Sequence, residues 1–369
     1  ILTAVLASLL AGARNLRDAE RITAELSRPI RGKVFLKDRI PDTTMRAVLV
    51  KIGHEPLRQI LRRQVLSARR SKQLEPMSLP FGVCAIDGKH VTTRLSSGEF
   101  AQAQTGKTSV LRTVTCALVS AAAPVILDAV PIPAATNEVG VVPTVLDALR
   151  RAYGTSMFQL LTADAGLNSR ENAALVVEHS YDYLFAIKGD QPTLTRQAEY
   201  LLEAKGSADV AAKTVTQRDN RTQEVREVWL TTEGAGYHDW DHLKTMLRVR
   251  RTVLRDGNTV SEDDRYFVSS LSSTALTPHQ WLQIVRAHWR VENEAHLLLD
   301  REFQEDGHPW LYDTTGQLAV AILRRVALNM LSLHRNVSRR GESKREIPWK
   351  NLMHTVRTVL AGAVAAIVD

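Results

Sequence analysis

Three acidic residues stand in settings that suit a hard metal ion. Asp87 follows the apolar run VCAI and precedes Gly88-Lys89, and Asp164 follows FQLLTA and precedes Ala165-Gly166, so each carboxylate lies where a buried strand ends or opens. Glu292 lies in a helical stretch. At about 100° per residue, Ile284, Ala287, Val291, Ala295 and Leu298 form its core stripe, with Glu292 at the edge between His288 and His296. Mg²⁺ prefers oxygen ligands and keeps waters that a substrate can replace, and three carboxylates are enough to hold two such ions. A two-metal centre of this kind supports in-line displacement at phosphorus. Each acid also has a plainer explanation. A strand-end aspartate is often a turn residue, a glutamate on an amphipathic helix is often solvated, and Glu294 and Glu302 compete with Glu292. His288 and His296 are too far apart in sequence to form a one-turn metal pair, so no zinc site is expected from them. Thr105-Gly106-Lys107-Thr108 lacks the leading glycine of a phosphate-binding loop, so ATP use is not indicated.

The elements that must position these acids follow from periodicity. Residues 1–79 read as helices, with Asn15 as an N-cap and EPLRQILRRQVLSARR as a strongly basic last helix carrying Arg58, Arg62, Arg63, Arg69 and Arg70. A solvated helix face explains such charges as well as phosphate contacts do. Short β-branched runs then begin: FGVCAID, TSVLRTVTCALVS and APVILDAVPI. A helix over EVGVVPTVLDALRRAYG, a strand FQLLTAD, a helix capped by Ser169 and a strand YDYLFAIKG complete a mixed sheet covered by helices. From about 213 to 271 the chain returns to β character, with Arg255-Asp256-Gly257-Asn258 as a hairpin turn. Thr277-Pro278 with Gln280 opens one long helix through Glu292, and residues 311–369 read as a C-terminal helical segment. The expected division is therefore a helical unit over 1–79, a catalytic unit over 80–310 with the β-rich insertion, and that final segment.

Composition narrows the partners. The 369 residues carry 48 Lys and Arg against 40 Asp and Glu, a formal charge of +8 that favours a polyanion such as nucleic acid over an acidic partner. Cys84 and Cys116 each sit in an apolar run, as small buried residues of a reducing compartment do. The opening ILTAVLASLLAGA is too short to span a bilayer and reads as a buried helix, and no later stretch is expected to cross a membrane. The chain starts at Ile1 inside that run, so upstream residues are expected.

Several blocks, in order, carry a resemblance: AIDGKHV at 85–91, LLTADAG, YDYLFAIKGDQPTL at 181–194, RYFVSSL at 265–271 and HWRVENEAHLLLDREFQED at 288–306. With IPDTTMRAVL and Thr136-Asn137-Glu138, they make the chain similar to the H-repeat-associated DDE transposases of bacterial insertion sequences over nearly its whole length. The resemblance implies an RNase H-like fold, with Asp87, Asp164 and Glu292 as the catalytic, metal-binding triad for two Mg²⁺ ions, replaceable by Mn²⁺. It implies cleavage of element ends and transfer of the 3′-hydroxyl into target DNA, by a homodimer on DNA in the bacterial cytoplasm at the nucleoid. Lys89, Lys188, Arg286, His288 and Asn293, with Arg62, Arg63, Arg69 and Arg70, are the implied DNA contacts, and the basic 339–345 loop is a further DNA-positioning surface. Asp190 stands where the family usually has Asn, and His288 and Leu299 where broader relatives place Arg and Lys. Trp289 reads as a packing residue or as a wedge into DNA. Two other functions remain open: a domesticated DNA-binding protein without catalysis, and an RNase H-like metal-dependent nuclease that does not integrate.

Overall fold

The run VCAI opens a strand whose alternate residues are buried on both sides. This strand, β1 (Val83–Arg94), sends Cys84 and Ile86 into the larger apolar cluster on one face and Val83 and Ala85 into a second cluster on the other. The computed structural model describes residues 1–94, 98–104, 108–189, 191–237, 240, 242–338 and 347–362. Thr105–Lys107, Asp190 and the basic 339–345 loop lie outside them. The remaining strands are β2 (Ala101–Ala103), β3 (Thr108–Leu118), β4 (Val125–Pro131), β5 (Leu160–Ala163), β6 (Asp182–Ile187), β7 (Ala212–Gln217), β8 (Thr222–Thr231), β9 (Thr245–Arg255) and β10 (Asn258–Ser269).

Together they form one mixed sheet in the order β2-β3-β1-β5-β6-β10-β9-β8-β7, with β4 on β3. β1, β3 and β4 pair antiparallel, and β1, β5 and β6 run parallel, which is the RNase H-like arrangement expected from the order of elements. The β-rich stretch continues the same sheet, because β10 pairs antiparallel with β6 from Tyr266↔Ile187 to Ser269↔Leu184. Asp256 and Gly257, both at positive φ, make the β9–β10 hairpin turn foreseen at that tetrapeptide.

Helix α6 (Glu138–Tyr153), capped by Asn137, helix α7 (Arg170–Glu178), capped by Ser169, and helix α8 (Pro192–Glu203) cover one face, where Val145, Val176 and Leu202 enter the larger cluster. The sequence reading did not foresee α8 or the short β2. On the other face lies helix α9 (Pro278–His288), which starts with the expected Thr277–Gln280 capping box and buries Trp281, Ile284 and Val285.

Helices α1 (Leu2–Leu10), α2 (Leu16–Glu25), α4 (Asp42–Leu49) and α5 (Glu55–Arg70) follow the expected pattern, with a short α3 (Arg28–Lys33) between them. Their apolar stripes share a core with helix α11 (Thr314–Leu333) and the last helix, Trp349–Leu360. Contrary to the expectation for later stretches, Thr314–Val337 is long and apolar enough to cross a membrane, yet 89% of its most apolar window is buried inside the protein. Its apolarity serves the core that the first helices complete. Cys84 and Cys116 are free and buried, as read from their surroundings.

Candidate catalytic site

Pairing between β1 and β5 stops at Ile86↔Ala163, so the next residues, Asp87 and Asp164, emerge side by side where the two parallel strands part. One correction concerns the strand itself. β1 runs on to Arg94, held by β3 as far as Arg94↔Thr108, so Asp87 stands within a long strand whose second neighbour has ended. Strand alternation places Asp87 with Val83 and Ala85 on the face covered by α9. Asp164 caps the short turn Ala165–Leu167, accepting a hydrogen bond from the Leu167 amide at 3.3 Å.

Glu292 approaches from that covered face. The long helix predicted through it is interrupted: α9 ends at His288, a π-helical turn spans Val291–His296, and helix α10 follows at Leu297–Arg301. The predicted core stripe nevertheless holds, with Ile284, Ala287, Val291, Ala295 and Leu298 all buried. A π turn inserts a residue into the helical ladder and re-aims the side chains around it. Burial raises the Glu292 carboxyl above its ordinary range, and the charges of Asp87 and Asp164 add to the rise while His296 and Arg265 oppose it. Asp164 is likewise raised, by burial first and then by Asp87. The three acids therefore share one electrostatic site. Glu294 instead pairs with Arg290 at 2.8 Å, and Glu302 pairs with Arg301.

Polar neighbours complete the surroundings. His296 Nδ1 lies 3.3 Å from Asp87 Oδ2. His288 is buried, its Nδ1 is 3.0 Å from Thr162 Oγ1, and burial pushes its imidazole down to about 4, so the ring is neutral at physiological pH. Glu138 was not singled out for a role. It begins α6 on the other face, 2.8 Å from His90 Nε2, and its charge contributes to raising Asp164. Gly88 makes this approach possible, since a Cβ there would lie 2.1 Å from Glu138 Oε1. An acid directly after an N-capping asparagine was the available sequence signal.

The expected DNA contacts divide. Lys188, at the end of β6, and Arg286, Asn293, Arg63 and Arg70 are exposed. Lys89 is buried between Asp300 (2.6 Å) and Asp306 (3.3 Å), and His288 is equally enclosed. Arg62 and Arg58 turn inward to the fully buried Asp128 of β4, with Arg62 Nη2 donating at 2.7 Å and Arg58 Nε at 2.8 Å. Arg69 donates to the Ser156 carbonyl at 2.7 Å. Lys89, His288 and Arg62 thus hold the fold together, because their counter-groups lie far off in sequence and close in space.

The donor set fits a hard divalent cation in its chemistry: three oxygen-bearing side chains whose mutual repulsion such an ion would relieve. As the side chains stand, no group of three His, Cys, Asp or Glu among the described residues converges closely enough to ligate one ion.

Residues 79–329 match the family model described as Transposase DDE domain. Among curated proteins, the chain is 24% identical over 206 residues to the "H repeat-associated putative transposase YhhI" of Escherichia coli (strain K12), covering 53% of this chain and 52% of that protein. A "Putative transposase YncI" of Escherichia coli O157:H7 is 24% identical over 217 residues, covering 56% of this chain and 53% of that protein. The chain spans about half the length of the curated relatives it matches. Among solved structures, the piggyBac transposase synaptic complex with hairpin DNA aligns at a TM-score of 0.45 and 11% identity, covering 98% of this chain and 70% of that one.

Proposed function

This chain belongs to the Transposase DDE domain family, and from that premise we propose that it cuts the ends of an insertion sequence and joins the freed 3′-hydroxyl to target DNA. The observation that carries the reading is the meeting of Asp87, Asp164 and Glu292 at the parting of β1 and β5, with the Asp164 and Glu292 carboxyls raised by burial and by their acidic neighbours. Acids raised by burial and by one another's charge, gathered without a full set of counter-charges, are candidates for a functional site. Asp87, Asp164 and Glu292 would hold the metal. Two Mg²⁺ ions held there, or Mn²⁺ in their place, would supply activation of the attacking water or 3′-hydroxyl and stabilisation of the leaving oxygen.

The chain's own residues do the positioning. Asp87 and Asp164 are fixed by the strand pairs before them, and the π turn brings Glu292 in from the covering face. Neutral His288, tied to Thr162, braces the end of α9 behind β5. His296 holds one oxygen of Asp87 in place. Exposed Lys188, just after β6, and Arg286, on α9, offer phosphate contacts. Pairing of two element ends calls for a homodimer on DNA.

The test is a cleavage and strand-transfer assay on the element's own ends, in Mg²⁺ or EDTA, comparing wild type with Glu292→Gln. Mg²⁺-dependent joined products that vanish in the variant are expected. Cut but never joined DNA would point to a nuclease, and bound but uncut DNA to a domesticated binding protein.

A further inference from the structure

Beside the acids, between α9 with its π turn and strands β7–β10, runs a groove of about 700 Å³. Its wall is crowded with guanidinium groups. Arg226 and Arg251 are direct cross-strand partners on β8 and β9, a juxtaposition of like charges that costs stability unless compensated. Compensation comes from Glu224, only 2% exposed, which pairs with Arg226, Arg218 and Arg251. Burial alone would raise the Glu224 carboxyl, yet these arginines hold it below its ordinary range. Three guanidiniums thus share one carboxylate. Across the groove, Arg286 is exposed on α9 and has no partner among the described residues. The Nη1 atom of Arg226 is buried and has no hydrogen-bond partner among the described residues.

One end of the groove, lined by Trp289 and Asn293, lies next in sequence to Glu292. Trp289, half-buried three residues before Glu292, carries the Arg265 guanidinium 4.4 Å over its ring. Arg265 also acts electrostatically on Glu292.

We infer that this groove binds a single strand of DNA through its phosphates, giving one strand a path away from the catalytic acids. The inference rests on the DNA-processing reading above. Its volume falls in the range of a site for one small ligand, the scale of a nucleotide unit. Arginine forks match phosphate oxygens, and aromatic and guanidinium planes accept unstacked bases without regard to sequence.

The experiment measures polarisation of a labelled mixed-sequence single-stranded oligonucleotide bound to the full chain in EDTA, over a series of salt concentrations. Arg286→Ala is expected to weaken binding about tenfold and to lower the slope of log affinity against log salt by about 0.7. Arg251→Gln is a second variant with the same expected direction. Arg151→Ala, exposed at the far end of α6, should match wild type. Unchanged affinity and slope in both groove variants would overturn the inference, as would a blunt duplex that competes equally for the Arg286-sensitive site. The two readings fail separately. A protein that binds the strand through Arg286 and never cuts loses the transposition reading alone, whereas one that cuts in Mg²⁺ with Arg286→Ala binding as wild type loses the groove alone.

Discussion

Two groups of buried charge in this molecule are built on opposite terms. At Asp128, wholly buried in β4, both carboxylate oxygens are taken up by Arg58 and Arg62, and Glu55 completes the pairing of both arginines at 2.6 and 3.0 Å. Asp264 on β10 is similarly held by Arg248 and Arg250. At Asp87, Asp164 and Glu292 the charges of the acids act on one another, and the nearby opposing influences on Glu292 are His296 and Arg265. The first arrangement joins α5 to the sheet. The second leaves repulsion that His296 and Arg265 offset only in part at Glu292, whose carboxyl stays raised. Compensated charge here joins elements of the fold, and the less compensated acids are the ones proposed above to carry the chemistry.

The contrast can be broken at its strongest point first. Replacing Asp87, Asp164 or Glu292 with Ala should lower the cleavage rate by on the order of a thousandfold or more while metal-free DNA binding persists; cleavage retained in any one of them removes that residue from the site. Asp128→Ala should do the reverse, costing about 3–5 kcal/mol of stability by leaving the buried Arg58 and the partly buried Arg62 without their shared carboxylate. Denaturant unfolding reads this, and a loss under about 1 kcal/mol would make the cluster an ordinary surface pair.

A smaller effect separates the two groups by metal. Mg²⁺ at a hundred times its dissociation constant should stabilise the wild type by about 2.7 kcal/mol in thermal melts and do nothing for the Asp87→Asn, Asp164→Asn double variant. An equal shift in both proteins would place the cation elsewhere.

The smallest effect is a pair of opposite pH slopes. Burial would raise Asp264, but the hydrogen bonds of Arg250 and Arg248 lower it, so its stabilisation is full above the ordinary carboxyl value and fades as pH falls through the lowered one. Asp164 and Glu292 are raised, so the folded state binds their protons more tightly than the unfolded chain does. Their contribution falls as pH rises from the ordinary value through the raised one. Unfolding of Asp264→Asn and of Asp164→Asn, compared with wild type across pH 3–7 (an approximate window, from about one unit below to about three units above the ordinary carboxyl values), should give difference curves of opposite sign. Curves of the same sign would erase the distinction.

Much of this arrangement was legible because it is local. Strand alternation and the residues after it give Asp87 and Asp164, and Asn15, Ser169 and Thr277 announce helix starts through hydrogen bonds that span three residues. What was not legible depends on partners distant in sequence. Arg62 looks like a phosphate contact until Asp128 is brought to it, and Lys89 until Asp300 and Asp306 are. Helical periodicity does carry Glu292 to the edge of the core, yet it cannot show the π turn, which adds no apolar residue out of step. Arg226 and Arg251 are ordinary strand residues in sequence, and only the pairing register sets them opposite each other.

The ladder that joins β10 to β6 has a mechanical consequence. Four consecutive residues of β10 are bonded to the strand next to Asp164's own, and the rest of the hairpin is bonded onward to β9 and β8. Such a connection has no hinge, so the β-rich part cannot swing over the acids as a lid. The distance from the three acids to the arginine wall is set by that ladder as by a fixed jig, and any change in their register would have to come from the helices.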